Sequence, residues 1–299
     1  MRLRRSELST PASSERMIAK ASASAADLVF LDLEDSIAPT EKAHARQRAI
    51  RGLKELDWGG KTRAVRINSI ETEYAHQDII ELVEGAGAFL DLLIVPKVKS
   101  AHDVLWVDVL LSQLEARFRL TKRIGLEVLI EDVEAMINVD EIARSSPRLE
   151  ALIFGPGDYS ASQGMDSGMV GGPGGAYPGD IWHYARNRIV VAARAARLDA
   201  IDGPYAAFND AEGYLVDARR AAVLSFVGKW AIHPNQIELA NEVFSPPADK
   251  VAAARRLLTE YEQAASRGEG AIAVDNVMVD VASARMLRSL LQRADLIGI

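Results

Sequence analysis

The chain has no cysteine, and that single absence removes disulfides, thiolate metal sites and a cysteine nucleophile together. Any metal ion must be held by oxygen or imidazole. Histidine is scarce as well. His44, His76, His102, His183 and His233 are the full set, and no two share a two-ligand spacing on one predicted element, which disfavours zinc. Only His233, in Ile232-His233-Pro234 just after the last predicted strand, lies near a place where chemistry is expected. No apolar run reaches the roughly 20 residues needed to span a bilayer, and the N-terminus lacks the apolar core of a signal peptide. A cytoplasmic location is expected. Long basic runs are also missing: 35 Lys and Arg stand against 42 Asp and Glu, a formal charge of −7, so nucleic acid is not an expected partner. The exception is the small cluster Arg2, Arg4 and Arg5, which reads either as a phosphate contact or as a solvated tail.

What is present is the composition of a globular enzyme, 48% hydrophobic and 26% charged over 299 residues. One α/β barrel absorbs roughly 250 residues and leaves a remainder for a terminal appendage. Short β-branched or apolar runs alternate with longer segments of helical period, the pattern of a parallel sheet covered by helices. Strands are predicted near 6–9, 28–33, 63–67, 92–95, 124–130, 151–154, 199–201 and 229–232. Eight is the barrel number. Between them Val104, Val107, Leu111, Leu114 and Phe118 recur at helical spacing, as do Val133, Met136, Ile137 and Ile142; both sets are read as core-facing stripes. Gly164 to Gly179 holds seven glycines and two prolines, too many for helix or strand, so a long loop is expected after the sixth strand. Beyond Pro246 and Pro247 a helical stretch leads through Arg267-Gly268-Glu269-Gly270 to a last helix. The organisation read from this is a barrel over residues 1–246 and a helical extension over 247–299.

Catalytic groups of such barrels come from the C-terminal ends of the strands. Here the second strand ends in Asp32-Leu33-Glu34-Asp35, the third in Arg66 and Asn68, the fourth in Lys97, the fifth in Glu131, and the sixth leads into Gly155-Pro156-Gly157-Asp158. Glu127, Leu129 and Glu131 share one strand face, which points Glu131 at the barrel mouth. A lone Glu131–Arg66 pair would suit a purely structural ion pair, but five charged strand ends together do not. Glu131 and Asp158, two hard oxygen donors on adjacent strand ends, are the expected holders of Mg²⁺. Lys97 is placed to form a Schiff base or, better suited to so acidic a mouth, an ion pair.

These residues carry a resemblance. Leu31-Asp32-Leu33-Glu34-Asp35-Ser36, Val65-Arg66-Ile67-Asn68, Ile94-Val95-Pro96-Lys97, Val128-Leu129-Ile130-Glu131, Phe154-Gly155-Pro156-Gly157-Asp158 and Gly228-Lys229-Trp230-Ala231-Ile232-His233-Pro234 resemble, in this order, the motifs of the citrate lyase β-subunit-like family of HpcH/HpaI aldolases, and within it malyl-CoA and β-methylmalyl-CoA lyases. Six ordered motifs over nearly the whole chain are a specific signal. The resemblance implies a (β/α)₈ barrel of the phosphoenolpyruvate-utilising type with a C-terminal lid, assembled as a homotrimer or homohexamer. It implies Mg²⁺ or Mn²⁺ on Glu131 and Asp158, coenzyme A as part of the substrate, Arg66 on the substrate carbonyl and developing enolate, and Asp280 as an acid delivered to a neighbouring subunit's site. It places Arg4, Arg5, Lys20, Gly155, Pro156 and Gly157 on the substrate and CoA, with Asp32, Glu34, Asp35 and Lys97 behind them. Two departures stand out: Asp132 follows Glu131 where many relatives carry a small residue, and the glycine-rich loop that can line the acyl pocket is shorter than in some malyl-CoA lyases. The implied reaction is metal-assisted cleavage or formation of a 3-hydroxyacyl-CoA. Citramalyl-CoA lyase, malyl-CoA thioesterase, a class II pyruvate aldolase and a non-catalytic metabolite-binding barrel are the alternatives.

Overall fold

All eight predicted apolar runs are strands: β1 (Ser6–Pro11), β2 (Leu28–Asp32), β3 (Thr62–Arg66), β4 (Leu92–Val95), β5 (Gly125–Ile130), β6 (Leu149–Phe154), β7 (Asp199–Asp202) and β8 (Gly228–Ala231). In this computed structural model, which describes residues 2–166, 179–275 and 277–299, they form a closed barrel in sequence order. Every neighbouring pair is parallel, and β1 closes the ring by pairing Ser6 with Lys229 and Leu8 with Ala231. Helices connect the strands, as a parallel register requires.

Strand alternation decides what fills the barrel. Leu28, Phe30, Ala64, Leu92, Ile94, Leu129, Ala151, Ile153, Ile201 and Trp230 form one buried cluster, the inward-facing residues of β2 to β8. Full burial of such a Leu, Ile or Phe side chain contributes about 1.5–3 kcal/mol. Leu129 belongs to this cluster, so Glu127 and Glu131, two residues either side of it, share the inner face, one toward each end. The other strand face meets the helices. There the stripe on the helix Ala101–Phe118 is buried at Val104, Val107, Leu111 and Leu114, with Phe118 half-buried. The second stripe is broken. Its segment forms two short helices, Val133–Ile137 and Val139–Ile142, and the turn at Asn138 leaves Ile137 78% exposed instead of core-facing.

Contacts divide the chain into two units, Arg4–Asn241 and Glu242–Ile299 with the N-terminal tip. The second contains the helix Ala248–Ser266, the antiparallel hairpin β9 (Ile272–Val274) and β10 (Val277–Val279), and the helix Val281–Ile297. Tyr261, Val279 and Ala284 form its small core, with Leu257, Leu258, Ile272 and Leu287 packed on it. Most of the predicted glycine-rich loop, residues 167–178, lies outside the described residues. Gly164 (φ +70°) and Gly179 (φ +116°) flank it in backbone conformations that favour glycine. No described helix is long and apolar enough to cross a membrane.

Candidate active site

The C-terminal strand ends bring Asp32, Glu34, Arg66, Lys97, Glu131 and Asp158 together at one rim. Asp32, the last residue of β2, is 1% exposed. It takes the fork of Arg66, the last residue of β3: Nε donates to Oδ1 at 2.7 Å and a terminal nitrogen donates to Oδ2 at 2.8 Å. The backbone N–H groups of Glu34 and Ser36 donate to the same carboxylate, so the turn after β2 and the arginine hold Asp32 from opposite sides. Burial opposes its ionisation, but Arg66 outweighs it and keeps the carboxyl below its ordinary range. Glu34 lies 2.8 Å from another Arg66 nitrogen. Arg66 therefore pairs with Asp32 and Glu34, and the simple Glu131–Arg66 pair is not what the barrel builds.

Lys97 bridges the other side of Glu34. Its ammonium is 2.8 Å from Glu34, 3.2 Å from Asp35 and 3.9 Å from Asp158. Burial opposes the charge, yet Glu34 and Asp35 raise the Lys97 pKa above that of an ordinary lysine. An amine held protonated is a poor Schiff-base nucleophile, so the ion-pair reading fits the geometry. Its backbone does something further. Lys97 sits at φ 53°, a left-handed conformation that costs energy outside glycine, and from there its N–H donates to Glu131 Oε1 at 2.8 Å.

Glu131 follows β5 and is 4% exposed. Burial first, then the charges of Glu34 and Asp158, push its carboxyl up to about 8. Room for it exists only because residue 155 is glycine: a Cβ there would sit 2.4 Å from Glu131 Oε2 and 2.5 Å from its Cβ. Pro156 opens the helix Pro156–Gln163, where its missing N–H is not required. Asp158 stands in the first turn of that helix with its side chain 47% exposed, and Gly157 borders open space. One buried carboxyl short of positive charge and one half-exposed carboxylate beside it fit a divalent cation. Among the described residues no three His, Cys, Asp or Glu side chains are grouped to enclose a metal. A site completed by water and substrate oxygens, the usual arrangement for Mg²⁺, is what remains.

Sequence reasoning missed the supports. Lys42 is buried behind the end of β2, where its ammonium donates to the carbonyls of Leu33 and Glu34 at 3.0 Å and to Asn68. Asp78 in turn accepts from the N–H and amide of Asn68 and from Arg46. Lys42 and Asp78 appear in sequence as ordinary helix charges. Below Arg66 lies the indole of Trp230, 5.5 Å from the guanidinium carbon. His233 stacks on Phe208.

Arg4 and Arg5, expected on the substrate and CoA, are not among the groups brought together at the rim. Both precede β1, at the opposite end of the barrel. Arg4, 3% exposed, pairs with Glu127, Glu150 and Asp199 at 2.8, 2.5 and 3.1 Å, all near the starts of their strands. Arg5 pairs with Asp27, just before β2. Lys20 is exposed in the last turn of the helix Glu15–Ser22, the turn that leads back toward the start of β2, and is not brought to the rim. Asp280 belongs to the second unit. It caps the helix Val281–Ile297, accepting from the backbone N–H and hydroxyl of Ser283 at 2.8 and 2.9 Å. Those two bonds, the backbone one first, lower its pKa.

Comparison with known proteins identifies relatives over nearly the whole chain. The family model described as HpcH/HpaI aldolase/citrate lyase matches residues 5–234. An L-malyl-CoA/β-methylmalyl-CoA lyase of Cereibacter sphaeroides is 43% identical, covering 98% of this chain and 95% of its own length. A (3S)-malyl-CoA thioesterase of the same organism is 33% identical, covering 98% and 95%. Among solved structures, the CitE protein of Mycobacterium tuberculosis in complex with magnesium, acetoacetate and coenzyme A superposes with a TM-score of 0.75 at 32% identity, covering 97% of each chain. The rim of carboxylates around Arg66, the closed barrel that builds it and these full-length likenesses agree, and the chain belongs to the HpcH/HpaI aldolase/citrate lyase family.

Proposed function

We propose that the protein is a Mg²⁺-dependent carbon–carbon lyase of 3-hydroxyacyl-CoA thioesters, cleaving or forming L-malyl-CoA (acetyl-CoA and glyoxylate) or β-methylmalyl-CoA (propionyl-CoA and glyoxylate). The observation that carries this reading is the convergence of Glu131, Asp158 and Arg66 on one rim. When bound, Mg²⁺ or Mn²⁺ supplies Lewis-acid polarisation of the substrate's hydroxyl and carboxylate oxygens. Glu131 and Asp158 are the residues that would hold it.

The remaining chemistry belongs to the chain. Cleavage leaves a thioester enolate, whose oxygen needs a fixed donor. Asp32 takes two of the five N–H groups of Arg66, which anchors one edge of the guanidinium and leaves N–H groups for that oxygen. The enolate carbon then needs a proton. The substrate hydroxyl releases one proton as the aldehyde forms; we assign Asp280 to carry a proton to the enolate carbon once it has taken up that equivalent, and to remove the α-proton in condensation. The two bonds from Ser283 keep its carboxylate ionised at rest, the form condensation requires. Asp280 acting across subunits within a cytoplasmic trimer or hexamer is part of the same proposal.

The test is product analysis with pure L-malyl-CoA. Glyoxylate and acetyl-CoA should appear with Mg²⁺ and cease with excess chelator. Malate and free CoA as the main products would replace the lyase with a thioesterase. Full activity in chelator, with borohydride trapping substrate on Lys97, would overturn the metal mechanism.

A further inference from the structure

We propose that Trp230 is the positioning residue of the active-site arginine, an indole floor tethered to Glu7 that sets the plane of the Arg66 guanidinium. The inference rests on the reading of Arg66 given above. Carboxylates hold the guanidinium only by its edge, Asp32 at two nitrogens and Glu34 at the third. A flat cation gripped along its rim can still tilt out of plane. From outside that edge the guanidinium carbon lies over the Trp230 ring, 5.5 Å from its centroid, a contact that a planar, weakly hydrated cation favours.

The ring itself is locked by other strands. Trp230 stands in β8 and is 4% exposed. Its indole N–H donates to Glu7 Oε2 at 3.0 Å, and Glu7 is fully buried on β1. Phe30 of β2 packs on it with centroids 4.4 Å apart and planes 40° apart. Three neighbouring strands thus fix one ring, and that ring fixes the cation above it. Glu7 lies beside the buried Arg4–Glu127 pair, its Oε1 4.0 Å from Arg4, so one end of its carboxyl group is anchored in that network while Oε2 is turned to the indole. Holding the indole in one orientation is the work the geometry assigns to Glu7. Because the enolate oxygen becomes negative only as the bond breaks, a tilted Arg66 fails at turnover and not at substrate binding.

The experiment is a double-mutant cycle on Trp230 and Arg66, read as kcat and KM for L-malyl-CoA with saturating Mg²⁺. Trp230→Leu removes the floor and should lower kcat by about 10²-fold, as a misplaced catalytic group does, with KM changed less than about threefold. In an Arg66→Ala background the same replacement should cost less than about twofold, because the residue it positions is gone. Trp230→Phe keeps a ring but loses the tether, with an expected loss of about tenfold, again vanishing without Arg66; it carries the cycle alone if Trp230→Leu does not fold. Normal kcat in both Trp230 variants, or an undiminished loss in the Arg66→Ala background, would overturn the inference while leaving Arg66 catalytic. Near-normal turnover of Arg66→Ala itself would overturn the reading of Arg66, and this one with it.

Discussion

Glycine at position 155 shows how much one missing carbon decides. Gly155→Ala would place a methyl 2.4 Å from Glu131 Oε2, and the neighbour it strikes is backed by the Lys97 N–H. Glu131 must turn away. Calorimetric titration with Mn²⁺ should show affinity reduced about 10–100-fold, the usual effect of displacing a group that orients a metal ligand, with the thermal transition still cooperative. Unchanged affinity would mean that Glu131 does not hold the metal. Glu131 also sets a pH dependence. Its folded pKa, about 8, lies above the ordinary value of 4.5, so between those values the folded state keeps a proton that the unfolded chain releases. Stability of the metal-free protein should fall as pH rises through that window, and fall less steeply in Glu131→Gln, where the other buried carboxyls remain. Thermal melts from pH 5 to pH 8, with chelator, measure the slope; identical slopes in the two proteins would remove Glu131 as its source. At Asp280 the isosteric Asn remains a good helix cap, so Asp280→Asn should leave the melting temperature in place while turnover falls by roughly 10² to 10⁴, the range for a lost proton-transfer group.

At the scale of elements, charge buried between strands and helices matters most. Lys229 of β8 is fully buried and donates to Asp202 of β7, Asp217 of the helix Ala211–Val223 and the Gly203 carbonyl at 2.6 to 2.7 Å. Arg186 binds the same two acids and adds Asp180. Lys229→Met would leave two buried acids short of a cation, so denaturant unfolding should show a loss of about 3–5 kcal/mol. A loss under 1 kcal/mol would mean that the acids simply take up protons. The same scale explains what the sequence made legible. Strands β2 and β4 stood out because Leu28-Val29-Phe30-Leu31 and Leu92-Leu93-Ile94-Val95 are apolar on both faces, as a strand buried on both sides must be; the others were legible from short apolar or β-branched stretches between helical segments. The rim was readable because Asp32, Arg66, Lys97 and Glu131 each break such a run at its C-terminal end. The burial of Arg4 was not legible because composition shows its charge and not its partners, which lie 123 to 195 residues away. Ile137 was misread because helical spacing was carried through Asn138, where the helix stops. Lys42 gave no signal beyond an ordinary helix charge, and Glu7 one weak signal, an acid inside a strand.

For the whole molecule, the division of labour between the barrel and the C-terminal unit is open to direct assay. Inactive Asp280→Asn chains mixed with inactive Glu131→Gln chains, under conditions where subunits exchange, should regain part of the activity if an intact barrel can be served by another chain's Asp280. Exchange without recovery would assign Asp280 to its own barrel or to no catalytic role. The closure of the barrel also has a consequence in time. Glu7 of β1 pairs with Leu28 of β2 and finds its second partner only in Trp230 of β8, next to Lys229, which donates its backbone N–H to the Arg5 carbonyl. A ribosome adds roughly 5–20 residues per second, so β1 waits on the order of ten to fifty seconds for the strand that completes it. Throughout that interval the growing sheet has two open edges, each a template for a wrong partner. Synthesis, not only stability, therefore favours the early pairing of β1 with β2, which leaves a single edge of β1 exposed until the last strand arrives.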